Sequence, residues 1–175
     1  MTNSLSGTDD LATTDDVIDD ESNSEGMACF VLPIQAGALL VPSISIAEIA
    51  PVAPIFPDNS GPDWFLGHYS WRNRRVPLIS FEKLTRDQGG GINPNGRIAL
   101  FKNTGSNTEV GFVAIPTQGI PREVMLMPED IEESQGNVGL SAFETISIKC
   151  EGEEMIIPDL TALEDAYLAY KDRLL

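Results

Sequence analysis

The chain is predicted to be a mainly β protein built from small closed barrels, with one helix at its C-terminal end. Three observations carry this: eight or nine short β-rich runs, turn residues every ten or so positions, and few stretches with helical spacing. Two barrels of about five strands each would use that number of strands, although periodicity alone does not choose between arrangements.

The elements follow in order. The runs MACFVLPI (27–34) and ALLVP (38–42) are β-rich and separated by QAG, which reads as a hairpin turn. SISIAEIA (43–50) is expected to begin a short helix, capped by Ser43 or Ser45, with Ile46 and Ile49 on one face and Pro51 as its stop. The Pro-rich stretch that follows reads as a connector without regular structure. WFLGHYSW and RVPLISF form a strand pair across RNR. The second run is apolar on both pleat faces and so is expected between packed layers, with one side unpaired or bulged at Pro77. A Gly- and Asn-rich loop spans 87–96. RIALFK (97–102) and EVGFVAIP (109–116) pair around NTGSNT, REVMLM (122–127) is a further strand, and PEDIEESQGNVG is an acidic surface segment. AFETISIKC and EMIIP flank the turn EGE. From Asp159, a good N-cap, Leu160, Leu163, Tyr167, Tyr170 and Leu174 make one helical stripe.

The first 26 residues hold eight acidic side chains, no Lys or Arg and no aromatic residue. Such a segment buries too little surface to offset its ordering entropy, so residues 1–26 are expected to be a disordered acidic tail and 27–175 the folded domain. The alternative is a segment that folds on a partner through Leu11, Val17 and Ile18. The tail supplies −8 of the net charge of −16, and residues 27–175 supply the other −8. Within the folded part, residues 72–102 carry seven basic groups against two acidic ones, whereas residues 103–175 carry fourteen acidic groups against four basic ones. The excess of negative charge makes nucleic acid a poor partner despite the arginines at 72, 74 and 75, and leaves an acidic patch on another protein as a plausible one.

The start is polar and acidic, unlike a signal peptide, and no apolar run approaches the length of a membrane span. Cys29 and Cys150 sit in apolar, strand-like sequence and are expected to be reduced, buried thiols. A soluble, cytoplasmic protein without membrane insertion is the expectation.

Chemistry is sparse. His68 is the single histidine, so a nucleophilic triad or a zinc ligand set has no second imidazole to draw on. GGGIN at 89–93 lacks the strand–helix context and the lysine of a phosphate loop. The carboxylates of 129–133 and 151–154 lie in turn-like, solvated sequence. No catalytic, metal or cofactor site is expected; the residues read as a binding module.

The stretch Gly67–Phe81 resembles the signature of CheW-type adaptor domains. In that pattern a Gly precedes a short strand ending in Asn-Leu-Arg-Gly, and an apolar run with Val-Pro follows. Gly67, Arg72, Val76, Pro77, Leu78 and Ile79 match, with Phe81 as an apolar stand-in. Upstream, Ile46, Glu48 and Ile49 match an apolar-x-Glu-Ile element. Downstream, EVGFVAI and EMIIPDLTAL match later segments, so the similarity spans 27 to about 168. Ser70, Trp71 and Asn73 replace the pattern's Asn, Leu and Gly, and Ser80 replaces its usual Asp. The combination of WFLGHYSW and IIPDL is most similar to the ChpC branch, adaptors of the chemosensory system that controls type IV pili and twitching.

The resemblance implies a pair of small SH3-like β-barrels with a C-terminal helix. It also implies a non-enzymatic adaptor that couples a CheA-type histidine kinase, through its regulatory domain, to the cytoplasmic tip of methyl-accepting chemoreceptors. Ile46 and Glu48 are implied to face the kinase, and Arg72 with Trp71 to face the receptor. Blander roles exist for each: Ile46 as core, Glu48 as a solvated face residue, Arg72 as a partner stacked on Trp71, and Arg74 and Arg75 as solubilising charges. Rival functions are an accessory kinase-binding adaptor without receptor contact, a small β-barrel enzyme with an unrecognised site, and a nucleic-acid-binding barrel.

Overall fold

The structure, a computed structural model, describes residues 25–86, 88–134 and 139–175. All but the last two residues of the acidic N-terminal segment lie outside the described residues. Twelve strands are described, six in each of two curled sheets. They are β1 (Met27–Ile34), β2 (Gly37–Pro42), β3 (Ile46–Ala50), β4 (Ile55–Phe56), β5 (Phe65–Trp71), β6 (Arg74–Ile79), β7 (Ile98–Lys102), β8 (Phe112–Pro116), β9 (Arg122–Leu126), β10 (Ile131–Glu133), β11 (Glu144–Cys150) and β12 (Glu153–Pro158). Two helices complete the fold: α1 (Phe81–Arg86) and α2 (Leu160–Asp172). The first sheet runs β10-β11-β12-β2-β1-β9 and the second β3-β7-β8-β6-β5-β4. Neighbours pair antiparallel except β12 with β2 and β6 with β8.

Burial follows from two-sided apolar patterning. Along β1, Cys29 and Val31 point into a cluster with Leu40, Ile148 and Met155, the centre of the first curled sheet. The alternate residues Leu32 and Ile34 point the other way, into a core shared with Phe101, Ile115 and Leu163. β7 divides in the same manner: Ile98 and Leu100 fill the centre of the second sheet with Trp71, Val76 and Leu78, while Ala99 and Phe101 join the shared core. Strands flanked by apolar groups on both faces are what a pair of barrels packed on a common layer requires. Ile79 of β6 packs with Val113 and Leu168 of α2, which closes the second sheet from outside. At Gly67 the chain adopts a φ of 113°, and a Cβ there would lie 2.1 Å from the Phe56 carbonyl oxygen, so only glycine lets β4 pass this close.

Several expectations need correction. Ser43–Ser45 form a single turn of 3-10 helix, and Ile46–Ala50 are a strand rather than a helix. The isoleucines are β-branched and find a cross-strand partner in β7, a contact invisible to local spacing. The Pro-rich connector contains β4, and part of the acidic surface segment is β10; with β3 these raise nine expected strands to twelve. Phe81 opens α1 instead of ending a strand. Ser80 caps that helix, its hydroxyl accepting from the Lys83 N–H at 3.3 Å. Asp159 caps α2 as expected, accepting from the Ala162 N–H at 2.9 Å. Leu174 is not part of the buried stripe: it is exposed beyond the helix end, and Leu168 takes the inward position.

Candidate functional site

β5 and β6 form a hairpin closed by two residues, Arg72 and Asn73, between the paired Trp71 and Arg74. Both have positive φ, 46° and 62°, the conformation that a type I′ turn demands. Asn accepts it readily; Arg does so at a steric cost. Trp71, nine-tenths buried, meets Phe112 edge-on with ring centroids 4.8 Å apart. Its indole N–H donates to Glu48 Oε2 at 2.9 Å, and the Arg72 guanidinium donates to the same oxygen at 2.9 Å. Arg72 also lies 4.9 Å above the Trp71 ring centroid. One carboxylate oxygen, one indole and one guanidinium thus form a closed cluster at the tip of the hairpin.

A β-bulge places Glu48 there. The register of β3 on β7 jumps from Ile46 opposite Phe101 to Glu48 opposite Leu100, leaving Ala47 as the extra residue. Without it Ile46 and Glu48, two positions apart, would share a face. With it Ile46 falls on the shared-core side with Phe101, and Glu48 turns to the Trp71 side. The two side chains expected to act together are therefore divided, and Glu48 joins the pair expected to face a different partner. Ile46 is only 8% exposed, as a core residue would be; the apolar side chain open to solvent at this corner is Ile44, 79% exposed. The Ile44 carbonyl accepts from Lys102 Nζ at 2.9 Å.

The cluster's energetics differ bond by bond. The ion pair is open to water, with side-chain exposures of 71% for Arg72 and 36% for Glu48, so it contributes less than about 1 kcal/mol. The bond from the half-shielded Trp71 N–H to a charged acceptor is the stronger tie, about 1.5–3 kcal/mol. Arg74 lies 5.7 Å from the Phe112 centroid and Arg75 4.8 Å from that of Phe56. Each arginine of the group overlies a ring, an arrangement that holds the guanidiniums flat; Arg72 donates one N–H to Glu48, and its remaining N–H groups can face a partner with those of Arg74 and Arg75. A cleft of about 180 Å³ continues from Arg74 and Arg75 past Phe112 to Tyr167 and Lys171 of α2.

His68 lies away from this turn. Its Nε2 is 3.4 Å from the Tyr167 hydroxyl, and its ring meets Phe65 edge-on at 5.3 Å. Burial, aided by the Arg75 charge, holds its pKa below the ordinary imidazole value, against the smaller opposing pull of Asp58. It acts as one ring in an aromatic layer with Trp64, Phe65, Tyr167 and Tyr170 under α2. Among the described residues no group of three His, Cys, Asp or Glu is placed to hold a metal ion, and no helix is long and apolar enough to cross a membrane.

The CheW-like domain family matches residues 28–166. The chain belongs to that family. No curated protein matches it significantly by sequence. Among solved structures it is similar to the scaffolding protein TtCheW from Thermoanaerobacter tengcongensis. The TM-score is 0.64 at 15% identity, over 77% of this chain and 85% of that one. At that identity the likeness shows the fold, a CheW-like arrangement of two curled sheets with a C-terminal helix.

The geometry also accounts for the departures of this CheW-like domain from the expected signature. Asn73 stands where the pattern has Gly, and both tolerate the left-handed conformation found there. Ser80 stands for Asp, and both are good N-caps for α1. Trp71 stands for Leu; its ring is buried, and its N–H reaches Glu48. Sequence reasoning missed the Glu48–Trp71–Arg72 cluster because its carboxylate comes from another strand and depends on the bulge.

Proposed function

We propose that this CheW-like protein is a non-enzymatic adaptor that joins a CheA-type histidine kinase to methyl-accepting chemoreceptors. The observation that carries the reading is the Glu48–Trp71–Arg72 cluster, at a rigid hairpin tip in a domain matched to the CheW-like family over residues 28–166. A planar guanidinium presented on an aromatic shelf suits bidentate pairing with a carboxylate on a receptor helix. Glu48, with the exposed Ile44 nearby in the chain, suits the kinase regulatory domain, and Ile46 supports that corner from beneath. Because Glu48 touches Arg72, the two docking faces adjoin. The likeness of WFLGHYSW and IIPDL to the ChpC branch favours the pilus-directed system, in which loss of the protein impairs twitching and leaves swimming intact.

Calorimetric titration of the full chain against the kinase regulatory domain, and separately against the receptor tip, tests the proposal. Micromolar binding to both is expected, with Glu48→Lys weakening the kinase titration and Arg72→Ala the receptor titration. Absence of binding to either partner by the wild type at high concentration would overturn the adaptor role. A second reading is favoured by the fact that Arg72 is already engaged by Glu48: an accessory adaptor that binds the kinase alone. Binding to the kinase with none to any receptor tip would select it.

A further inference from the structure

The arginine face is only partly neutralised by the folded body, through Glu48 on Arg72 and through Glu109, which lines the same cleft as Arg74 and Arg75. Arg86 is paired with Glu144, Arg122 with Glu153 and Lys171 with Glu109, but Arg74 and Arg75 have no carboxylate partner among the described residues. Arg72 remains largely exposed even with Glu48 attached. Phe56, under Arg75, is 48% exposed and gives the face an apolar floor. The same chain carries the matching chemistry. Asp9, Asp10, Asp15, Asp16, Asp19, Asp20 and Glu21 flank the aliphatic residues Leu11, Val17 and Ile18, with no Lys or Arg among them.

We propose that the N-terminal segment Asp9–Glu21 binds in cis to the Arg72–Arg74–Arg75 face and competes there with acidic partners. Reach is sufficient. The described chain begins at Glu25, so Asp9 lies sixteen positions before it, up to about 50 Å at ~3.3 Å per residue. A body of this size has a radius of gyration of only about 15 Å. Tethering presents the segment at an effective concentration in the millimolar range, so a weak site is substantially filled without any partner. The attraction is between many exposed charges, and salt therefore weakens it. The segment acts as a built-in competitor: an acidic partner must displace it, and neutralising its carboxylates raises the partner's apparent affinity several-fold.

The test uses the full chain and neither kinase nor receptor, so its failure would leave the adaptor proposal standing. A nitroxide is attached at Thr13→Cys in uniformly nitrogen-labelled protein. Cys29 and Cys150 are buried, with thiols pushed above their ordinary pKa, and do not compete for the label. At about 0.01 M salt, where the Debye length is ~30 Å, the Trp71 indole and the Arg74 and Arg75 Nε–H signals are expected to broaden. The Trp64 indole, before the far end of β5, serves as reference. The broadening is expected to vanish at about 1 M salt, where the Debye length is ~3 Å, and when all eight acidic residues of 1–26 become Asn or Gln. Absence of broadening at low salt, or broadening centred on other residues, would overturn the proposal. Broadening of equal strength when the nitroxide is carried by a separate, unlabelled copy would also overturn it, because the contact would then be between molecules.

Discussion

Trp71 donates its indole N–H to Glu48 across two strands that never pair with each other, 23 positions apart in the chain. The bond fixes the hairpin tip to the outer edge of the second sheet. Arg72, the next residue, shares the same acceptor oxygen but stays in water. One side chain therefore holds the turn and its neighbour displays it, a division that the variants below separate.

Glu48→Ala is expected to destabilise the fold by about 1.5–3 kcal/mol, because the half-shielded indole N–H loses its charged acceptor. Glu48→Gln keeps an oxygen for Trp71 but loses the exposed ion pair and the acceptor's charge, so it should cost about half as much. Urea unfolding followed by tryptophan fluorescence distinguishes them; equal losses in both variants would assign the stabilisation to charge.

Arg72→Ala is expected to leave stability within about 0.5 kcal/mol of wild type while weakening receptor-tip binding by about 1–3 kcal/mol. Arg72→Lys should recover only part of that affinity, since an ammonium cannot make the two parallel bonds of a guanidinium. Full recovery by Lys in calorimetry would reduce the interaction to a point charge.

Glu164 is buried in α2 with both carboxylate oxygens used: Thr104 donates its N–H at 2.7 Å and its hydroxyl at 2.8 Å. It pins the β7–β8 loop to the helix. Glu164→Ala is expected to cost about 2–4 kcal/mol, combining two charge-assisted bonds and an orphaned N–H. A double-mutant cycle with Thr104→Val should show a coupling of at least about 1 kcal/mol. Additive losses would mean that Glu164 is retained for packing alone.

His68 makes stability depend on pH. Its folded-state pKa lies below the unfolded value of 6.5, so the unfolded chain binds the proton first as pH falls. The associated stability is complete above pH 6.5 and declines as pH drops through the folded-state pKa. His68→Gln should flatten the unfolding free energy between about pH 5 and 7, where an unperturbed imidazole titrates. Asp58, whose carboxyl is held below its ordinary range mainly by the Ser60 hydroxyl, titrates under more acidic conditions and does not blur the comparison. An unchanged slope in the variant would place the pH dependence elsewhere.

The long apolar runs were legible because burial on two faces leaves uninterrupted Val, Ile, Leu and Phe, as in β1, β6 and β7. The α2 start was legible because Asp159 caps it locally. Ser43–Ala50 was not, because Ile46 and Ile49 are three apart, a helical interval that a bulged strand also produces. α1 has six residues, too few for a periodic signal, and β4 and β10 have two and three. At the site, the signature around Arg72 marks the turn, and stacking of Arg72 on Trp71 is the alternative the sequence leaves open beside a receptor-facing role; the guanidinium does lie over that ring. The shared Glu48 oxygen was not visible, since it depends on which face a one-residue bulge selects. The rings beneath Arg74 and Arg75 were equally hidden: Phe112 arrives from β8 and Phe56 from a two-residue strand inside a proline-rich loop.

The second sheet is one continuous length of chain, from Ile46 to Pro116, whereas the first is stitched from both ends, β1 and β2 waiting for β9 to β12. On the ribosome the arginine hairpin, Glu48 and the rings beneath the arginines are therefore synthesised before β12, the strand that must lie parallel to β2. A product cut short before Glu153 retains Glu48, Trp71 and the three arginines but leaves the β2 edge bare, a template for wrong pairing. Incomplete chains are thus the ones a cell has most reason to destroy, since they carry the whole arginine hairpin on a half-built, aggregation-prone body.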